Sequence, residues 1–197
     1  MRRILLFSLM ALGAISSFAQ TDNFMVSYPI SFPLGNLHDY TSSTSFRGIN
    51  MEFNKKMKPG RTVGLEVGWN VFYQHVNSKV YTQGTASISG AQYRYTNAVP
   101  IILGTKLYPK MENKGIKPYL GLGAGTMYAN RSTDFGLYRI SSDAWQFCIR
   151  PEVGIEFKGD EGVSGFVGAK YYWSFNEGDL DGQRYLSINI GFKFSRF

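Results

Sequence analysis

After its first nineteen residues the chain has no run of roughly eighteen apolar residues, so no helix in it is expected to cross a bilayer. Cysteine is nearly absent. Cys148 stands alone, which excludes a disulfide framework and a cysteine-based metal site, and an inert buried thiol is the expected reading. No cysteine follows the apolar N-terminus, so a lipid-anchored start is not expected either. Histidine is almost as scarce, with only His38 and His75, which leaves little for acid–base catalysis. Acidic residues are the minority, 14 against 21 Lys and Arg. A basic balance can mark nucleic-acid binding, but here the cations are dispersed. The run Gly121-x-Gly123-x-Gly125 is followed by Thr126 and by no helical pattern, so it is not a nucleotide-binding fingerprint.

What is present begins with an address. Arg2 and Arg3 precede an apolar stretch over 4–15, and Ser17-Phe18-Ala19 places small residues where a signal peptidase reads them. Residues 1–19 are expected to be a signal peptide and 20–197 the exported domain. Removing Arg2 and Arg3 lowers the formal charge from +7 to +5, and export argues against nucleic acid as a partner.

The exported part is dominated by period-two alternation. Over 62–73, Val63, Leu65, Val67, Trp69, Val71 and Tyr73 share one face, while Gly64, Glu66, Gly68, Asn70 and, less tidily, Phe72 share the other. Such a period marks a strand. A greasy face opposed by glycine and charge suits a strand with lipid on one side and a narrow lumen on the other. Eight segments read this way: 23–32, 46–55, 62–75, 91–108, 117–129, 145–158, 163–175 and 185–194. Their connections alternate between long (33–45, 76–90, 130–144, 176–184) and short (56–61, 109–116, 159–162). Long loops on one side and short turns on the other fit an outer-membrane barrel with both termini in the periplasm. The aromatic content of 16% and the 22 glycines agree.

The expected fold class is therefore all-β, an eight-stranded antiparallel up-and-down transmembrane β-barrel. A soluble eight-stranded barrel would turn its apolar face inward, and its interior has room only for side chains or one small ligand. Stripes such as Phe24, Val26, Tyr28, Ile30 and Phe32, or Trp145, Phe147, Ile149, Val153, Ile155 and Phe157, are too bulky for that interior. The face with Gly121, Gly123, Gly125, Gly154, Gly168 and Gly191 is small enough. Pro29, Pro100 and Pro151 fall within strands, where each must break a ladder bond or sit at a bulge.

The segments SFPLGNLHDYTSSTSFRGINMEF, GLEVGWNVFY, KPYLGLGAGTMYANRSTDFGLY and DLDGQRYLSINIGFKF resemble the small outer-membrane β-barrel proteins of Bacteroidota, within the wider OmpA/OmpX-like group. The resemblance covers essentially the whole exported chain. It implies the barrel and a place in the outer membrane of a Gram-negative bacterium. It implies no particular activity, because that group includes anchors, adhesins, narrow channels and a few lipid enzymes. Barrels of this group end on an aromatic residue read by the insertion machinery. Phe194 shares a face with Leu186, Ile188, Ile190 and Phe192, so it is expected to close the last strand, leaving Ser195-Arg196-Phe197 as a stub.

By parity Glu52, Glu66, Glu152 and Glu156 face the lumen, as do Arg94, Lys106, Arg150, Lys170 and Lys193. Buried charges must be paired, so Glu66, Arg150, Glu152, Lys170, Glu52 and Arg94 are expected to form an ion-pair network that plugs the lumen. The competing reading of the same residues is a charged constriction that selects solutes. Loop residues Tyr40, Tyr81, Arg131, Tyr138 and Arg139 are binding candidates. His38-Asp39 with Ser42, Ser43 or Ser45 reads as ordinary loop composition rather than a hydrolase set. Asp179-Leu180-Asp181-Gly182 lacks the rest of a calcium loop. No enzyme activity, cofactor or metal is expected. The expected function is structural or interactive, through extracellular loops. Expected partners are outer-membrane lipid and lipopolysaccharide, the barrel-insertion machinery and an extracellular ligand. The alternative is a narrow channel for small or apolar solutes.

Overall fold

The computed structural model describes residues 22–83, 86–109, 115–135, 138–159 and 161–195, with side chains left aside over 78–83 and 86–89. Eight strands, β1 (Asn23–Leu34), β2 (Gly48–Lys58), β3 (Arg61–Gln83), β4 (Ala86–Leu107), β5 (Ile116–Phe135), β6 (Tyr138–Phe157), β7 (Val163–Ser174) and β8 (Arg184–Ser195), close into a ring in sequence order. Each is antiparallel to its neighbours, and β1 pairs with β8 along its whole length. One short helix, α1 (Asn36–Tyr40), lies in the first long connection. The expected signal peptide and Arg196-Phe197 lie outside the described residues. Phe194 sits at the seam between Phe24 and Val163, its ring 6.3 Å from that of Phe24, and β8 ends one residue later.

Burial is inverted relative to a protein dissolved in water. Leu103 and Leu122 on the outer face are 62% and 60% exposed, whereas Lys170 on the inner face is 0% exposed. Val67, Val153, Ile155, Ile190 and Phe192 are also exposed, and Asn50, Glu66, Lys106, Arg150 and Asn189 are buried. Aromatic rings gather toward the loop end of this outer surface, with Tyr128 beside Trp145 at 5.2 Å and Phe147 beside Phe175 at 5.8 Å. A belt of aliphatic side chains ending in aromatic residues is the surface a barrel offers to a bilayer.

Four strands run further than the alternation implied. The segments 76–90 and 130–144, expected as loops, are mostly ladder. β3 and β4 stay paired to Gln83↔Ala86, and β5 and β6 to Phe135↔Tyr138. Side-chain pairs such as Tyr73–Tyr95 and His75–Tyr93, with centroids 5.0 and 4.8 Å apart, support them. Beyond the apolar belt both faces meet water, so the contrast that reveals a strand in sequence fades while its hydrogen bonds continue. The upper halves of β3–β6 thus form a four-stranded sheet that projects past the rim, since β2 leaves β3 at Gly48↔Asn70 and β7 leaves β6 at Cys148↔Ser174.

The prolines interrupt one ladder each and leave the other intact. Pro100 keeps its pairing with Met127, while the β3–β4 ladder skips from Val67↔Ile101 to Asn70↔Ala98 without a change of register. Pro151 keeps Leu122, and the β6–β7 ladder skips from Ile149↔Trp173 to Glu152↔Lys170. At Pro29 the expected irregularity is real. The β1–β2 ladder stops at Ser27↔Asn50, and the next bridge, Ser31↔Ser45, is one residue out of step. The bulges between Lys56 and Lys58 and between Val76 and Lys79 were not expected.

The outer face yields a direct test. Leu103→Arg should destabilise the barrel by about 2–4 kcal/mol in lipid vesicles, measured by reversible denaturant unfolding. A protein whose outer face meets water would lose almost nothing from that substitution.

Candidate functional site

The inner face concentrates its charge in one layer. Glu52 on β2 and Glu66 on β3 are direct cross-strand partners, a like-charge pair that could not stand alone. Three cations resolve it. Lys170 on β7 binds both, at 2.8 Å to Glu66 and in closer contact with Glu52. Lys106 on β4 reaches Glu52 at 2.5 Å and Glu152 at 3.3 Å. Arg150 on β6 contacts Glu66 and reaches Glu152 at 2.7 Å. Two phenols complete the layer. Tyr119 donates to Glu152 at 2.9 Å and Tyr172 donates to Glu66, and the Lys106 ammonium lies 4.8 Å from the Tyr119 ring centre. Glycines make the room. A Cβ on Gly154 would sit 2.5 Å from the Tyr119 ring, and one on Gly104 would sit 2.9 Å from the Arg150 guanidinium.

Five of the six residues expected in the network, Glu52, Glu66, Arg150, Glu152 and Lys170, meet here. Arg94 does not. It lies near the loop end, donating to Gln92 Oε1 and to the Tyr40 carbonyl, because β4 continues past the rim and carries position 94 with it. Its place is taken by Lys106, which parity had already turned inward. Tyr119 and Tyr172 were missed, although they share the faces of Gly121 and Lys170. The three carboxylates lie close enough to hold a metal ion, but the three cations already occupy the space between them.

Above this layer Asn50, Asn70, Asn189, Ser31 and Ser187 form a hydrogen-bonded tier, with the stacked rings of Tyr172 and Tyr185 4.6 Å apart. An apolar tier follows, in which Phe72, Ile102, Met127, Cys148 and Leu37 are all fully buried. Phe72, which broke the polar pattern of its face, packs edge-on against Tyr185 at 5.2 Å. Below the charged layer Lys193 pairs with Glu156 at 2.7 Å.

Two connections fold over the loop-end mouth. α1 inserts Leu37 and places the Tyr40 ring between two guanidiniums, Arg94 at 5.2 Å and Arg131 at 4.4 Å, with its hydroxyl 2.6 Å from Thr133 Oγ1. Burial raises the Tyr40 phenol above its ordinary pKa despite both cations. From the opposite side Gln146 Nε2 donates to the carbonyls of Leu180 and Asp181 at 3.1 and 3.0 Å, and Leu180 is buried. The Asp181 carboxylate is 3.8 Å from Arg131, so that segment is held as a lid rather than open for calcium.

Of the other loop candidates, Tyr138 is 77% exposed and Arg139 forks onto Asp134 at 2.5 and 2.7 Å. The Tyr81 side chain lies outside the described residues. His38 and Asp39 are exposed on α1, while Ser45 turns its hydroxyl to the Val71 carbonyl at 2.6 Å.

No family model and no curated protein matches the chain. Among solved structures it is similar to Neisserial surface protein A, with TM-score 0.60 at 11% identity, over 88% of this chain and 96% of that one. It is also similar to Ail, the attachment invasion locus protein of Yersinia pestis (TM-score 0.45, 11% identity, 87% and 94% covered). A third is the outer-membrane protease OmpT of Escherichia coli (TM-score 0.49, 11% identity, 76% and 62% covered). The first likeness establishes the fold, an eight-stranded antiparallel barrel of the outer-membrane kind. These neighbours include adhesion and protease types.

Removing one member of the charged layer strands its partners. Lys170→Met should cost about 3–5 kcal/mol, measured by unfolding in vesicles. Lys170→Met combined with Glu52→Gln, which restores equal numbers of each sign, should regain part of that loss. At the mouth, Tyr40→Ala should speed protease cleavage within 35–47 while leaving the barrel itself resistant.

Proposed function

We propose that this chain is an outer-membrane protein of a Gram-negative bacterium, exported by its N-terminal signal. In this reading its lumen is plugged, and it works through its loop end as an interaction protein, neither a pore nor an enzyme. The finer kinship, with small barrels of Bacteroidota, rests on the sequence segments quoted above.

The observation that carries the plug is the charged layer. Three carboxylates and three cations from five strands meet at hydrogen-bonding distance in the middle of the lumen, and no sign is in excess to attract a permeant ion. The tiers above it and the two connections folded into the mouth add further obstruction. Function then moves to the projecting sheet, which rises above the aromatic belt and carries exposed Tyr138 and Ile140. Lipopolysaccharide at the rim, the insertion machinery at the C-terminal strand and an extracellular ligand on the sheet are the partners this reading assigns.

The refolded protein should run differently on a gel before and after boiling, as a closed barrel does, and should stay silent in planar bilayers. Reproducible single-channel steps that change when Glu66→Gln or Arg150→Met is introduced would overturn the plug and favour a narrow channel.

A further inference from the structure

The surplus of positive charge is not spread over the molecule. In the lumen Glu52, Glu66, Glu152 and Glu156 are matched by Lys106, Arg150, Lys170 and Lys193, and the loop end carries as many acidic as basic residues. The +5 of residues 20–197 therefore falls at the opposite end, where the short connections lie. Among the described residues there, Lys55, Lys56, Lys58, Arg61, Lys117 and Lys158 are all exposed, against the acidic residues Asp22 and Glu161. The Asp22 carboxylate is already engaged, accepting the Lys56 amide at 2.7 Å.

Within this end the β2–β3 turn is the sharpest concentration. Only Pro59 and Gly60 join the two strands. Gly60 takes the left-handed φ of 76° that so tight a turn needs, and its carbonyl accepts the Tyr108 amide at 2.8 Å, which ties the turn to the end of β4. Lys58 and Arg61 are direct cross-strand partners, a like-charge pair that costs stability when left alone. The same two strands carry a second such pair, Glu52 and Glu66, and there three cations relieve it. Lys58 and Arg61 have no carboxylate within ion-pair distance among the described residues. Their direction is set by register. Arg61 lies opposite Leu107, and Lys55 lies opposite Val63. Leu107 and Val63 are exposed on the outer face, so these cations stand at the lower margin of the apolar belt, with Leu103 and Val67 above them.

We propose that the β2–β3 turn holds the phosphate of an anionic phospholipid in the leaflet at the short-turn end. Arg61 and Lys58 donate to the phosphate oxygens, and the headgroup supplies the negative charge that the like-charged pair lacks. Lys55 adds to the local positive potential. The acyl chains lie against Val63, Leu103 and Leu107. A zwitterionic headgroup would bring its own ammonium back toward Lys58 and Arg61, so the site selects lipids of net negative charge. This inference rests on the membrane placement proposed above and adds to it a lipid class and a leaflet.

The test uses the refolded full chain carrying Met57→Cys and Cys148→Ala, labelled with the fluorophore NBD at position 57, in phosphatidylcholine vesicles. Doxyl-labelled phosphatidylglycerol or doxyl-labelled phosphatidylcholine is included at equal mole fraction, and quenching of the fluorophore is read. Phosphatidylglycerol should be enriched beside the label about threefold or more, and high salt should reduce that preference. Lys58→Gln/Arg61→Gln should bring the two lipids to parity while the barrel still shifts on boiling. Arg47→Gln/Arg184→Gln, which removes cations at the loop end, should leave the preference intact. Equal quenching by both lipids before any charge is removed overturns the site. A preference that survives Lys58→Gln/Arg61→Gln, or that Arg47→Gln/Arg184→Gln also abolishes, overturns it in favour of diffuse attraction by net charge. Loss of the preference to inorganic phosphate, beyond that caused by sodium chloride at the same ionic strength, assigns the turn to a free anion and overturns the lipid. Failure of the membrane placement itself would register separately, as a chain that stays in water without detergent and is quenched by neither lipid.

Discussion

Eight strands closed into a ring enclose only enough room for side chains, and this chain puts six charges into a single layer of that room. The charges cannot be hydrated there, so each must find an opposite partner within the ring or shift the balance against folding. Glu52 and Glu66, directly opposed across β2 and β3, make the requirement acute. Lys106 answers it from β4, which adjoins β3, and Arg150 and Lys170 answer it from β6 and β7 across the lumen. The layer ties together five strands that are not all neighbours. The small residues around it, such as Gly104 against Arg150 and Gly154 against Tyr119, follow from the need to fit a guanidinium and a phenol in so narrow a space.

Along a single strand the surroundings change twice. In β6, Glu152 faces a dry polar interior while Val153 faces outward at 53% exposure; ten residues earlier, Ser142 and Asp143 are both exposed. Only the first environment writes an apolar–polar alternation. The ladder itself is indifferent to that alternation, because cross-strand hydrogen bonds and ring pairs such as His75–Tyr93 hold it beyond the belt. The projecting sheet is therefore a continuation of the barrel wall, rigid by the same bonds, and its outer edges are left unpaired where β2 and β7 turn away.

Closure of the mouth and exposure of the β6 edge are linked through the connection after β7. Leu180 and the neighbouring carbonyls are drawn inward by Gln146. Glu177 and Asp179 are left on the outer side, facing Asp143 and Trp145. One short segment thus seals the lumen with its apolar residue and shapes an acidic cavity with its charged ones. Arg131 holds the same segment through Asp181 and the first connection through Tyr40, so the two lids share a support on β5.

Much of this was legible in order along the chain. Period-two alternation over 62–73 and its counterparts gave eight strands, their faces and the inward direction of Glu52, Glu66, Lys106, Arg150, Glu152 and Lys170, because pleating sends successive side chains to opposite sides whatever the partner strand is. Parity does not supply height. It put Arg94 into the same lumen network as Glu66, whereas the length of β4 sets it against Tyr40 near the mouth. Nor could it show that 76–90 and 130–144 are largely strand, since water on both faces removes the contrast. Tertiary structure alone decided which charges meet, that Leu37 and Leu180 close the lumen, and that β6 is left with an open edge beside three carboxylates. Those outcomes depend on register and strand length around a closed ring, which are properties of pairs of strands and are not written in any one of them.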